Sequence, residues 1–461
     1  LKTLILLGSL FTGVISAFTF YQAPDNPEKE RAIVSTMVNA LSGLHYEPAA
    51  IDDEFSEKLY ELYIDRVDGS RRFFTQEDIA AFEAHKLSLD DQLNASELTF
   101  FNLVEERFTS ALTRSQTLYR ELLTEPFDFT AEENFELDGE KKDFPANETE
   151  LREAWRKLMK WETMTRLNDK IERQKKAMDE AAGISAENDA DDSDQGAEED
   201  ADAEDENLDT DDEGDDAEPA ESLIGKTREE LEADAREEVL ESFDGWFKRM
   251  TKLKRADRLS DYLNAVTGVH DPHTGYFAPI DKDNFDINMS GKLEGIGARL
   301  QSNGDYTKVT DIIVGGPAWK GKELAEEDVI MSVAQENEEP VDIAGMMINE
   351  VVQLIRGKKN SRVTLTVKKV DGTIDDIEIT RDVVTLEEGF AKSLKLDTEA
   401  GEEVGYIRLP RFYADFSDDN GRSSFRDVRT EVEKLKMEGV EGIILDLRSN
   451  GGGSLRDVVE M

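Results

Sequence analysis

The sequence predicts a multidomain α+β protein. It has a largely helical amino-terminal region, a small partly open β-barrel carrying one helix, and the beginning of an α/β unit of βαβ form. Three observations carry that reading. Apolar residues recur at helical spacing from Asn26 to about residue 270, and short alternating strands between glycine turns replace them from about Asp286. After Val404 an apolar strand, an amphipathic helix and a second apolar strand follow in order. At roughly 100–200 residues per domain, a chain of 461 residues allows about three.

The helical region opens at Asn26-Pro27, a capping residue followed by proline in the first turn, with Ile33, Val34, Met37, Val38, Leu41 and Leu44 on one face. Further amphipathic stretches cover Phe55 to Val67, Ile79 to Leu87, Leu98 to Leu123 and Leu151 to Met178. The pattern resumes near Thr227 and continues through Leu240, Phe243, Trp246 and Phe247 towards Tyr262. No internal repeat of fixed period is present. At Val269-His270-Asp271-Pro272-His273-Thr274-Gly275 helical spacing gives way to turn chemistry. Two histidines three apart beside an aspartate invite a metal reading. The chain holds only four histidines and no carboxylate cluster at a recognisable spacing, so a structural junction is favoured and no metal is assigned.

Composition narrows the function classes. The chain carries 104 Asp and Glu against 55 Lys and Arg, a net charge of −49, which argues against nucleic-acid binding for want of a basic face. Absence of cysteine excludes disulfides, thiolate metal ligands, a cysteine nucleophile and a lipoprotein anchor. Between Glu187 and Glu221 stand 20 acidic residues and no basic one. Such a tract buries too little apolar area to offset the entropy of ordering it, so it reads as a disordered, solvated insertion, with a tether for cations or basic partners as the alternative. Lys2 followed by the apolar run Thr3 to Phe20, with Ile15-Ser16-Ala17 as a cleavage site, reads as an export signal or an uncleaved anchor. The protein is therefore expected to be exported, touching the membrane only through that segment.

In the strand-rich part, Leu293-Glu294-Gly295-Ile296-Gly297-Ala298-Arg299-Leu300 leads into alternating apolar residues. It is followed by Val309, Ile312 and Val314, the turn Gly315-Gly316-Pro317-Ala318, a strand from Val329 to Val333, a helix over Ile343 to Ile355, the turn Gly357 to Asn360, and the strand Val363 to Val367. A Gly-Ile-Gly-Ala loop beside an edge strand aims successive backbone N–H groups at an anion such as a peptide carboxylate, while the strand edge pairs with the peptide itself. In the last 60 residues, Val404 to Leu409 reads as a strand, and Phe425, Val428, Val432 and Leu435 mark a helix face. Gly442 to Arg448 reads as a second, buried strand parallel to the first. Asn450-Gly451-Gly452-Gly453 then precede a new helical start at Leu455, Val458 and Val459. A glycine turn between strand and helix presents bare N–H groups to developing negative charge, although a plain strand-to-helix turn gives the same pattern.

Residues 286–384 resemble a PDZ domain of the kind found within C-terminal processing peptidases. Asn26 to Tyr46, Arg71-Arg72-Phe73-Phe74, Asp271 to Phe277, Leu293 to Leu300 and Asp446 to Gly453 resemble the periplasmic tail-specific protease branch of that family. The resemblance covers nearly all the chain except the acidic tract and its surroundings. It implies a secreted serine peptidase, in the periplasm or at the periplasmic face of the inner membrane, with a Ser and Lys dyad that recognises apolar, unstructured C-termini, with no metal or organic cofactor and with an envelope adaptor as a candidate partner. It implies substrate binding by Leu293, Gly295, Ile296, Gly297 and Ala298, with an apolar pocket completed by Val352 and Ile355, and an oxyanion donor at Gly453 with Gly452 beside it. The domains expected are a signal or anchor over 1–20, a helical domain over 21–185 continued over 223–285, and the acidic insertion 186–222 within it. The PDZ-like module over 286–384 and the start of the peptidase domain over 385–461 complete the division. The nucleophile and base of the family lie further on than Met461, Ser454 lacks a nucleophile-elbow setting, and Lys436 is the last lysine, so the chain is expected to be inactive by itself. A non-catalytic PDZ adaptor that holds C-termini is the competing reading, and a structural envelope protein the third.

Overall fold

The computed structural model describes residues 26–182, 219–397, 401, 403–418 and 421–461. The apolar segment 1–20 and residues 186–218 of the acidic segment lie outside the described residues. Two compact units divide the chain, one ending at Tyr276 and the other running from Phe277.

The first unit is helical: α1 (Pro27–Leu44), α2 (Asp53–Asp68), α3 (Gln76–Glu83), α4 (Leu89–Asn94), α5 (Thr99–Leu122), α6 (Glu148–Ala181), α7 (Arg228–Lys252) and α8 (Arg255–Gly268). Its starts follow capping chemistry. The Asn26 carboxamide accepts the N–H groups of Glu28 and Lys29 at 3.0 and 3.3 Å, and Thr227 with Glu230 forms a capping box. The single run read from Thr227 to Tyr262 is two helices, because Leu253 and Lys254 leave helical geometry and Asp257 caps a new start by accepting the Lys254 N–H at 2.8 Å. On α1, Val34, Met37 and Leu41 are buried, whereas Leu44 at its end is 85% exposed.

An aromatic interior formed by Phe73, Phe74, Phe100, Phe101, Phe108, Tyr119, Trp155, Phe243, Phe247 and Tyr262 holds these helices together. The segment Arg71 to Phe74 enters it through Asp68. That buried carboxylate accepts the N–H groups of Arg72, Phe73 and Phe74 at 2.8, 2.9 and 2.8 Å, and burial pushes its pKa up to about 6. Phe73 then stacks on Trp246, and Trp155 donates its indole N–H to the Arg72 carbonyl at 2.7 Å. Residues 71–74 are thus a packing hub of the helical unit.

The second unit begins with α9 (Pro279–Ser290), which the strand reading from Asp286 did not anticipate. Proline at its first turn and Gly291 just past its end are ordinary helix punctuation, but α9 buries no residue and so shows no apolar period. Its far end is held by the chain beyond: Ala414 N–H donates to the Met289 carbonyl at 2.9 Å and Arg411 to that of Asn288 at 2.8 Å. Strand structure starts at β1 (Lys292–Gly295) and continues with β2 (Ala298–Asn303) and β3 (Tyr306–Ile312). The turn expected at Gly315 to Ala318 is present in its first half, where Gly316 N–H donates to Ile313 O at 3.0 Å, and its second half opens a one-turn helix, α10 (Pro317–Gly321); Val314 is 76% exposed. Then come β4 (Val329–Gln335), β5 (Val341–Asp342), α11 (Ile348–Ile355), β6 (Arg362–Lys368), β7 (Ile374–Thr380) and β8 (Asp382–Thr385). The helix α11 starts five residues later than its apolar run, because Ile343 packs into the core from a turn.

The order β2-β3-β4-β6-β7, with β5 on β4, makes a six-stranded sheet, and β1 pairs antiparallel with β8. One core of Val309, Ile330, Val333, Val351, Ile355, Val363, Leu365 and Val367 lies beneath it. This is the PDZ-like module. Beyond it, β9 (Lys392–Asp397), β10 (Glu403–Arg408), α12 (Ser424–Met437), β11 (Gly442–Asp446) and α13 (Leu455–Glu460) form a three-stranded sheet in the order β11-β10-β9. The strands β10 and β11 are parallel, Val404 facing Gly442 and Arg408 facing Asp446, as a βαβ unit requires. The expected burial of β11 is not found: Ile443, Ile444 and Leu445 are 38%, 51% and 39% exposed. The reason is topological, since β11 is an edge strand and no described element packs on it. Leu455 and Val459 of α13 are exposed as well.

Candidate functional site

The strand-pairing register builds the first site. β1 pairs with β8 so that Leu293 faces Val384 and Gly295 faces Asp382, and Ile296 and Gly297 carry the chain across to β2. Their carbonyls turn into the fold: Ile296 O accepts the Ala318 N–H at 2.8 Å and Gly297 O that of Ile313 at 2.9 Å. The N–H groups of Ile296 and Gly297 donate to no group among the described residues. Gly297 sits at φ +78, and a Cβ there would stand 3.2 Å from Gly316 Cα and 3.3 Å from Val384 Cγ2, so the turn requires glycine. From Ala298 onward β2 pairs, among the described residues, with β3 alone, and no described strand pairs with its other edge.

The helix α11 packs against β2. Its Val352 is half-buried, whereas Ile355 is 3% exposed within the module core. The two residues read together as pocket walls therefore differ in burial: three apart, they share one side of the helix, but Ile355 is sealed into the core and Val352 is not. Sequence reasoning missed Arg356, which follows the helix. Its Cα and Cγ lie 3.9 Å from the place of a Gly295 Cβ, and its guanidinium donates to Asn284 Oδ1 at 2.7 Å. Burial lowers its pKa. The signal for it was a cation at the end of the helix that flanks the glycine loop.

The second site is the turn after β11. Asp446 is held well below the carboxylate range, first by the Arg448 guanidinium at 2.9 Å and then by the Tyr406 hydroxyl. Asn450 ties the turn to β10 by donating to Leu409 O at 3.0 Å while its Oδ1 accepts the Gly452 N–H at 2.9 Å. Phe412 bridges the next residues: its N–H donates to Gly452 O at 2.9 Å, and its carbonyl accepts the Ser454 N–H at 2.7 Å. Gly453 stands between these bonds at φ +140 with a Cβ position only 2.2 Å from Phe412 O, so no side chain fits. It is exposed, and its N–H donates to no group among the described residues, whereas that of Gly452 is committed to Asn450.

Ser454 caps α13. Its hydroxyl donates to Asp457 Oδ2 at 2.7 Å and accepts the Asp457 N–H at 3.3 Å, and the residue is buried. Ser393 and Lys434 stand 3.1 Å apart, but the ammonium is also 3.2 Å from the Glu431 carboxylate, which Ser393 contacts too. An ammonium paired with a carboxylate is a poor proton acceptor, so this is a surface ion pair.

The turn with the two histidines gains a partner that spacing could not show. His45 Nε2 lies 2.8 Å from Asp271 Oδ2 and 3.1 Å from Thr274 Oγ, and His45 Nδ1 lies 2.9 Å from Glu47 O. His270 packs edge-on to Phe55 and His45, and burial lowers its pKa. Among the described residues no group of three His, Cys, Asp or Glu side chains is placed to hold a metal ion.

A helical frame, a PDZ-like module with an open strand edge, and a βαβ unit ending in a glycine turn together define a PDZ-containing processing peptidase architecture. Residues 37–280 match the tail specific protease N-terminal domain, and residues 403–461 match peptidase family S41. The chain belongs to the tail-specific protease family of C-terminal processing peptidases. It is 26% identical over 449 residues to the tail-specific protease of Haemophilus influenzae, covering 95% of this chain and 54% of that protein. It is 30% identical over 225 residues to the carboxyl-terminal-processing protease of Picosynechococcus sp., covering 47% of this chain and 50% of that protein. The chain thus spans about half the length of these curated relatives. Among solved structures it is similar to the PDZ domain of a carboxy-terminal protease from Vibrio cholerae in complex with peptide. That likeness is 44% identical, covers 21% of this chain and 99% of that one, and has a TM-score of 0.20.

Proposed function

We propose that this chain is the substrate-capturing portion of an exported serine endopeptidase, and that it also supplies one oxyanion donor. Its PDZ-like module takes the free carboxylate of an apolar, unstructured C-terminus at Leu293, Gly295, Ile296, Gly297 and Ala298. The peptide adds as a strand to the open edge of β2, and its apolar side chains lie against Val352 on α11. The observation that carries this reading is the pair of N–H groups at Ile296 and Gly297 that donate to no group among the described residues, while both carbonyls are bonded within the module. Arg356, whose stem lies against Gly295, is the cation nearest in sequence to the end of α11 and is assigned to that loop. A backbone nest with a nearby cation is a general solution for carboxylate capture.

Gly453 presents the second set of conditions a peptidase needs, a bare and exposed N–H held by bonds on either side of it. Such a donor placed at the developing oxyanion is worth about 2.7–4 kcal/mol of transition-state stabilisation. The serine and lysine of the dyad are proposed to lie outside these 461 residues, since Ser454 is committed to Asp457 and Lys434 to Glu431. The chain by itself is then a binder. Lys2 with the apolar run to Phe20 supports export to the periplasm, with an envelope adaptor as a candidate partner.

Capture is tested by titrating the chain into a labelled peptide with an apolar terminus, once with a free carboxylate and once amidated. The free acid binds roughly tenfold or more tighter, the discrimination expected when buried polar groups of a site lose their partner. Equal affinity would overturn the reading. Incubation of the same peptide with the chain in its native reading frame separates peptidase from adaptor, because an adaptor leaves the peptide intact.

A further inference from the structure

We propose that Arg381 is a positioning residue for peptide capture, a single buried guanidinium that fixes the helix wall of the groove relative to its carboxylate loop. The inference rests on the groove reading above. Arg381 is 2% exposed and lies between β7 and β8. Its Nε donates to Ile355 O at 2.8 Å and its Nη2 to Leu354 O at 3.0 Å, the last carbonyls of α11. The same Nη2 donates to Gln335 Oε1 on β4 at 2.8 Å, while Nη1 donates to Ser361 Oγ at 2.9 Å and to Arg362 O on β6 at 3.2 Å. Gln335 completes the set by donating to Leu354 O at 2.7 Å.

Every acceptor in that set is neutral. A buried cation without a carboxylate is costly, and here the negative end of a helix dipole and five acceptors offset the cost. The geometry has a consequence for the groove. The side chain of Arg381 grips the carboxyl end of α11, while its backbone is fixed to the turn before β6, with N–H to Ser361 O and carbonyl from Asn360 N–H both at 2.8 Å. The next residue, Asp382, is in register with Gly295, where the carboxylate loop begins. One residue therefore anchors both walls. A planar fork with five N–H donors is suited to acceptors on three elements, and a lysine ammonium cannot span them.

The prediction separates positioning from stability. Loosening α11 leaves the loop N–H groups in place, so the preference for a free carboxylate over an amide persists. What is lost is the register between helix and loop, and with it the preference for an apolar over a glycine terminal residue. The experiment titrates the full chain, wild type, Arg381→Lys and Gln335→Leu, against four labelled peptides: apolar or glycine terminus, free acid or amide. Arg381→Lys is expected to lose roughly tenfold in affinity for the apolar acid and most of the apolar preference, with the acid-to-amide ratio unchanged. Gln335→Leu, which removes one acceptor and one donor, gives a smaller loss of the same kind and covers the case in which Arg381→Lys fails to fold. Partial unfolding lowers the competent fraction equally for all four peptides and leaves both ratios intact, so an apolar preference equal to wild type in a folded variant overturns the inference. Absence of carboxylate preference in the wild type overturns the groove reading and this inference with it.

Discussion

Gly453 shows how much of a site is set by what a residue lacks. Its Cβ position lies 2.2 Å from Phe412 O, and its φ of +140 is strained for any L side chain. Gly453→Ala is expected to displace Phe412 and open the Ser454 N–H to Phe412 O bond, accelerating amide exchange at Ser454 by roughly tenfold or more. Unchanged exchange would show that the turn tolerates a side chain. His45 and Asp271 yield a pH prediction. The His45 pKa is raised from 6.5, first by its hydrogen bond with Asp271 and then by that with Glu47, so its contribution is complete below about pH 6.5 and lost as pH rises through the higher folded value. Asp271 moves the other way, held low chiefly by the Thr274 hydroxyl, then by the His273 N–H and His45, and its contribution fades only as pH falls below its ordinary 3.8. The stability gap between wild type and Asp271→Asn should therefore be widest near pH 5–6 and narrow towards pH 9, read as thermal midpoints. A gap that widens with pH would contradict the assignment.

At the scale of elements, α11 holds two apolar residues one turn apart that differ in burial. Ile355 is part of the core, whereas Val352 is half-buried. Ile355→Ala should cost about 2–5 kcal/mol in urea unfolding, the usual consequence of a buried cavity. Val352→Ala should change stability by less than about 1 kcal/mol and weaken binding of an apolar C-terminal peptide. The reverse ordering would place the groove elsewhere. Legibility also differs by element. Helices α1, α5 and α6 were readable because each pairs a periodic apolar face with helical length, and the first and last of these also carry a side-chain cap. The helix α9 was not, because it buries nothing, and the break between α7 and α8 was not, because apolar spacing continues through it.

Across the whole molecule the dominant feature is charge. With 104 acidic against 55 basic residues, self-repulsion opposes the compact state at low salt. The thermal midpoint is expected to rise between about 0.05 and 0.5 M NaCl as the Debye length falls from roughly 14 to 4 Å. A salt-independent midpoint would mean that the excess charge is spread too thinly to matter. The glycine loop at 293–298, the turn at 450–453 and the βαβ order were legible in the sequence, because each depends on neighbours along the chain. Placement of the partners of Arg381, and of His45 against Asp271, was not.

The sequence by itself determined the class of each part, the helix caps, the two glycine turns and the family, since propensity, capping and motif spacing are local properties of the chain. Only the tertiary structure decided that Val352 and Ile355 face different surroundings, that β11 lies exposed at an edge, and that one guanidinium reaches the end of α11, β4 and β6. Those facts depend on which distant segments pack together, and packing is settled by the summed burial and hydrogen bonding of the folded chain, which no single stretch of residues contains.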